Sequence, residues 1–148
     1  MSELNSEKSC RCLLKLETEA LREKLPSVVE MVISPLTDAG WSGADLNRIE
    51  LVLEEAMLNV ALHGYKGNGG ELLITLESVS DGSLSLTLSD SAAPFDPLHL
   101  PVPDGSVPVE QRTIGGLGVH LIRSMCEEVS YRYHDGHNIL QMVFFPRI

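Results

Sequence analysis

Asp81-Gly82 stands between two runs in which apolar and polar residues alternate, ELLITLESV and SLSLTLSD. Asp135-Gly136 stands in the same way between SYRYH and NILQMVFF. Asp-Gly tolerates positive φ at both centres of a two-residue turn, so each pair predicts a β-hairpin. Alternation over the flanking runs predicts strands with one face toward a core. CRCLLKLET, near the start, reads as a further strand.

Helical periodicity fills the space between. From Glu19 to Ala39, Leu21, Leu25, Val28, Val29, Val32, Ile33 and Leu36 recur near a 3.6 period. Pro26 predicts a kink or restart, Pro35 predicts fraying, and Gly40 is suited to a helix C-cap. Ser42, with Asp45 three residues on, predicts an approximate capping box opening a second helix that lasts to about His63. Gly64, Gly67, Gly69 and Gly70 end it. An irregular, proline-rich stretch runs from Ser91 to Thr113, and GGLG then leads into a helical run, VHLIRSMCEEV. The order is strand, helices, hairpin, irregular stretch, helix, hairpin. It predicts an α+β fold: a two-layer α/β sandwich, with a mixed, mostly antiparallel sheet and helices on one face. A length of 148 residues suits one domain, expected over 10–148 behind a flexible N-terminus at 1–9.

Eleven basic against 21 acidic residues leave a formal charge of -10, which opposes sequence-independent nucleic-acid binding. No apolar run approaches the roughly 20 residues of a membrane-spanning helix. The start, MSELNSEKSCRC, lacks the apolar core of a signal peptide, so the expected compartment is the cytoplasm. Cys10, Cys12 and Cys126 are odd in number, which argues against a disulfide framework, and Cys10 and Cys12 read as two reduced thiols on one face of the first strand.

The second helix carries LEEAMLNVALHGY. At 100° per residue, Leu46, Ile49, Leu53, Ala56, Met57 and Val60 share one face. Asn47, Glu50 and Glu54 form an ordinary solvated stripe. Glu55 and Asn59 lie apart from it, near Arg48, beyond a second apolar stripe of Leu51, Leu58 and Leu62. A carboxylate and an amide one turn apart can address the same small volume. The carboxylate can act as a base, and the amide oxygen can bind a hard cation such as Mg²⁺. A surface pair beside a helix-terminal histidine fits that spacing equally well.

SLSLTLSD ends in Asp90, which places a carboxylate at a sheet's mouth, able to accept a hydrogen bond from an exocyclic amine or simply to cap the strand. Gly115-Gly116-Leu117-Gly118 precedes a helix, where free N–H groups and the dipole favour phosphate. The same residues also suit a tight turn into a helix.

Taken in order, EEAMLNVALHGY, the PFDP of SAAPFDP, and GGLGVHLIRSMCEEVSYRY resemble the GHKL superfamily of ATP-binding domains. Within it the chain is most similar to the bacterial anti-sigma-factor serine/threonine kinases. The resemblance implies ATP and Mg²⁺ as cofactors, with Asn59 as the metal ligand and Glu55 as the catalytic base. It implies that Asp90 meets the adenine amine and that Gly115, Gly116, Leu117, Gly118 and Val119 hold phosphates. His63 and Ala92 lie near the nucleotide, and residues 98–113 form a lid. Ala92 stands where the family's DxGxP pattern has glycine. The implied partners are an anti-anti-sigma protein of the STAS type and a sigma factor, with no direct nucleic acid, no membrane, and a homodimer as in relatives. The alternatives are a non-catalytic regulatory module of the same fold, a stand-alone histidine-kinase-like domain and a small ATPase.

Overall fold

The computed structural model describes residues 7–99 and 116–147, with the backbone alone for 116–118. The elements are β1 (Cys10–Glu19), α1 (Leu25–Asp38), α2 (Gly43–Asn59), β2 (Glu71–Val79), β3 (Leu84–Asp90), α3 (Gly116–Met125), β4 (Glu128–His134) and β5 (His137–Phe144). One five-stranded sheet has the order β1-β2-β3-β5-β4. Every pairing is antiparallel, so the expected two-layer α+β sandwich has a sheet antiparallel throughout rather than mixed.

Alternation sets the register. Leu76 pairs with Leu86 and Leu86 with Met142; Ile74 pairs with Leu88 and Leu88 with Leu140. All six are buried, in one cluster with Val28, Val32 and Leu36 of α1, Leu53 and Met57 of α2, and Ile122 of α3. The helices therefore cover this face of the sheet. Lys15, Thr75, Thr87, Gln141 and Ser130 form a polar row on the other. Fully burying one such apolar side chain is worth about 1.5–3 kcal/mol, which makes a one-residue slip costly. The next core-facing row is different: Leu72 pairs with Asp90, and Asp90 with Asn138.

α1 restarts after a short 3-10 turn, Arg22–Lys24, with Pro26 in its first turn, where a missing N–H costs nothing. The expected fraying at Pro35 does not occur; the helix runs on to Asp38. Pro35 removes the partner of Met31's carbonyl, and Met31 is exposed, so water can replace it. Gly40, at φ +100°, ends the helix. Its N–H donates to the Thr37 carbonyl, and that of Trp41 donates to Leu36, both at 3.0 Å. This is a Schellman stop, with Trp41 and Leu36 both buried.

The expected capping box is absent. Ser42 makes no side-chain cap. Asp45 is taken instead by Arg48 Nη2 at 2.8 Å and by the Arg147 N–H at 3.0 Å, which hold its carboxyl pKa below the ordinary value. Arg48 also donates to the carbonyls of Met125, at the end of α3, and Phe145, beyond β5. A guanidinium there suits the negative end of the α3 dipole. The helical run expected over VHLIRSMCEEV stops at Met125, because Glu128 and Val129 pair with Val143 and Met142 in the sheet.

Both hairpins turn where Asp-Gly predicts, with Asp135 and Gly136 at φ 51° and 78°. Residues 1–6 of the expected flexible N-terminus, and 100–113 of the expected lid, lie outside the described residues. Lys8 pairs with Asp81 at 3.1 Å, and the Ser9 carbonyl accepts from the Ser80 N–H at 2.9 Å. Among the described residues, no helix is long and apolar enough to cross a membrane.

The Ser83 hydroxyl and N–H, then Lys8, pull the Asp81 carboxyl down to about 2. An acid depressed by folding contributes stability above its unfolded pKa of about 3.9 and loses it as pH falls through the folded value. Asp81→Ala should therefore lower the urea midpoint at pH 7, with the difference from wild type shrinking from pH 4 toward pH 2.

Candidate functional site

α2 packs against α3. Arg48, Val52, Glu55 and Asn59 recur at spacings of four, three and four, so they form one stripe along α2. Arg48, Val52 and Asn59 are buried and Glu55 is half-buried, while Asn47, on the other polar stripe, is exposed. Glu54 is half-buried; burial, then Glu50 and Glu55, raise its carboxyl pKa.

The α-helix does not continue to His63. A π-turn, Val60–Gly64, follows Asn59, and the Tyr65 N–H donates to the Val60 carbonyl at 2.9 Å. Such a turn is wider than an α-turn, so it shifts His63 off the Glu55–Asn59 line. The imidazole stacks on the Phe95 ring, with centroids 5.6 Å apart and planes 12° from parallel.

Asn59 is 2% exposed, and its Nδ2 has no hydrogen-bond partner among the described residues. Leaving a buried donor unmet costs about 1–3 kcal/mol, which marks the atom for a ligand. It lines a cavity shared with Asp90, Asn138, Tyr131, Phe95 and Pro97. The room there is small, about 10 Å³, roughly enough for one water. A larger open depression of about 340 Å³ lies by Glu17, Glu71 and His137; its two acids disfavour a phosphate ligand.

Asp90 ends β3 at 5% exposure. Its Oδ1 accepts from Asn138 Nδ2 at 2.9 Å and from the Ala92 N–H at 3.0 Å. Burial raises the carboxyl pKa above its ordinary value, against the pull of Asn138, Ala92 and His137. Asn138 Nδ2 also reaches the carbonyls of Ala92 and Ala93, both at 3.1 Å. Its Oδ1 accepts from the Phe95 N–H at 2.9 Å and the Tyr131 hydroxyl at 2.5 Å. The amide thus ties the segment after β3 to β5.

Tyr65 ties the same segment to β2. Its hydroxyl donates to the Glu71 carbonyl at 2.6 Å and accepts from the Ser91 N–H at 2.8 Å. Its ring covers Gly70, where a Cβ would fall 2.2 Å from Cε1. Ala92 is buried against Gly64: a Cβ on Gly64 would fall 3.3 Å from that of Ala92.

Of the residues expected at a nucleotide site, Asn59 and Asp90 share the cavity, and His63 stacks on one of its walls. Glu55 sits one helical turn before Asn59, outside the cavity lining. Ala92 and Val119 are buried. Gly116, Leu117 and Gly118 form the first turn of α3, whose leading N–H groups have no partner within the helix. Gly115 lies outside the described residues. Sequence reasoning missed Asn138, Tyr131, Phe95 and Tyr65. A signal was present for Asn138: it precedes Leu140, Met142 and Phe144 at a period of two, so a polar amide occupies a core-facing position.

The chain belongs to the family of histidine kinase-like ATPase domains, which it matches over residues 18–144. It is similar to the serine-protein kinase RsbW of Bacillus thuringiensis (strain Al Hakam), 27% identical over 140 residues that cover 87% of each chain. It is also similar to the RsbW of Bacillus cereus (strain AH187), 28% identical with the same coverage. Its fold matches the crystal structure of the RsbU and RsbW domains of Rv1364c from Mycobacterium tuberculosis, with a TM-score of 0.62 at 14% identity. That match covers 89% of this chain and 32% of the other, so this chain spans about a third of it.

Gly70→Ala should cost about 1–3 kcal/mol, because the added methyl must push aside a ring anchored through its hydroxyl. Urea unfolding of the variant beside wild type measures it.

Proposed function

We propose that the chain is an ATP-dependent serine/threonine protein kinase acting on an anti-anti-sigma protein of the STAS type, and that it sequesters a sigma factor. One observation carries the nucleotide part: a buried carboxylate, Asp90, and a buried amide with an unmet donor, Asn59, line one cavity in a chain of this family. The relatives' names support the kinase part. The protein partners rest on the resemblance to anti-sigma-factor kinases.

In this reading Asp90 accepts a hydrogen bond from the adenine amine through Oδ2, since both of its described bonds use Oδ1. Asn59 would hold Mg²⁺ through its amide oxygen, with Nδ2 left to donate to a phosphate oxygen. The leading N–H groups of α3, with Gly116 and Gly118 beside them, hold further phosphate oxygens without a long cationic side chain. This matters on a chain with a charge of -10. Glu55, half-buried on the same stripe, orients the partner's hydroxyl and takes its proton. Mg-ATP, when bound, supplies the phosphoryl group and much of the charge neutralisation. The Phe95 and Pro97 side chains wall the cavity from a loop and a short 3-10 turn, and they would have to turn aside for a purine while the Phe95 N–H stays on Asn138. Ala92 is buried with its methyl against Gly64.

Asn59→Ala should weaken Mg-ATP binding at least about tenfold in calorimetry, the scale of one lost charge-assisted contact. Unchanged affinity would remove Asn59 from the site. Glu55→Gln should leave that affinity within about twofold yet lower transfer to a STAS-type protein at least about a hundredfold. Transfer from labelled ATP at the wild-type rate would exclude Glu55 as the base. No transfer by the wild type, with binding intact, would favour the non-catalytic regulatory module.

A further inference from the structure

We propose that Asn138 sets the base preference of this site: it keeps Asp90 a hydrogen-bond acceptor, and so selects purines that carry an amino rather than an oxo group at the six position. The proposal rests on the nucleotide reading above and goes beyond it, because an aspartate alone does not decide between these bases. As an anion it accepts from an amine. Once protonated it donates to a carbonyl oxygen as readily.

Asn138 is 4% exposed, and its amide can be assigned in one orientation only. The Phe95 backbone N–H is a donor and nothing else, so the atom 2.9 Å from it must be Oδ1. The other end of the amide faces the carbonyls of Ala92 and Ala93, which are acceptors and nothing else, so it must be Nδ2. That nitrogen has a third neighbour, Asp90 Oδ1, at 2.9 Å. Backbone groups that have nothing to do with the base thus turn the Nδ2 end of Asn138 toward Asp90, and of the three acceptors that share its two hydrogens Asp90 Oδ1 is the nearest. A carboxylate beside a fixed donor is favoured as the anion, and the Ala92 N–H, at 3.0 Å, acts in the same sense.

The opposing influence is burial, which raises the carboxyl pKa of Asp90. Among the described residues, the titratable groups around it are Tyr65 after the π-turn, Tyr131 on β4 and His137 on β5; Glu71 and Asp96 lie next to these. The residues that α2 and the π-turn bring to the cavity, Ala56, Asn59 and Val60, are uncharged. Among the described residues no Lys or Arg lines the cavity, so the Asn138 amide, with the Ala92 N–H and His137, is what favours the anion. Without it, Asp90 keeps one backbone donor against its burial and shifts toward the neutral, donating form.

The experiment compares wild type with Asn138→Ala and with Asn138→Leu, which keeps the volume filled. Calorimetry measures binding of Mg-ATP and of Mg-ITP, which has an oxo group at the six position. Carboxyl-carbon NMR follows the titration of Asp90 in the protein alone. Wild type should prefer ATP by about a hundredfold, and the variants should reduce the preference to within about threefold. The Asp90 titration should move to higher pH in both. A preference retained in a folded variant, or an Asp90 titration that stays where it was, overturns the proposal. If wild type binds neither nucleotide while the titration still moves, the nucleotide reading is what has failed, and the base preference falls with it.

Discussion

Asp90 stands where the sheet's pattern calls for an apolar side chain. The rows before it bury leucine against leucine; its own sets a carboxylate between Leu72 and Asn138. A charge in such a place needs partners, and the fold supplies them from three directions. β5 contributes Asn138, the chain just beyond β3 contributes the Ala92 N–H, and Tyr131 and Phe95 fix the orientation of the Asn138 amide. Much of the loop after β3 owes its course to these bonds. The polar break in the core and the opening of the candidate site are the same feature.

The second constraint is the stripe along α2. Arg48 at one end ties α2 to the close of α3 and to the chain beyond β5. Asn59 at the other end reaches the cavity. One helix face thus sets the seating of α3 at its C-terminal end and carries the amide of the site a few turns away. The glycine-rich leading turn of α3 thus belongs to a helix whose far end is fixed by Arg48.

The sheet was legible because its signals are local. Asp-Gly turns and alternation depend on a few neighbouring residues, and five strands follow from them. Glu55 and Asn59 were separable from the solvated stripe for a similar reason, since helical phase is arithmetic. What was not legible depends on distant partners. Asp45 forms no capping box because Arg48 and Arg147, the latter far along the chain, claim its carboxylate. α3 ends early because Val129 finds a strand partner in Met142. Phe95 and Tyr131 gain their roles only when Asn138 lies between them. His63 was placed one turn beyond Asn59, on a helix that in fact widens there.

That widening has a consequence of its own. A π-turn accommodates one residue more than the α-helix would, and the surplus is absorbed between Asn59 and Tyr65. Winding this stretch as an ordinary α-helix with its length unchanged would rotate all that follows by about 100°. The tyrosine would leave its glycine, and the imidazole would swing away from the phenyl ring. Removing one residue as well would restore the five-residue bond as a four-residue one and keep the tyrosine in place. A chain of this fold without the extra residue should therefore seat the tyrosine alike and differ in what stands beside the phenyl ring.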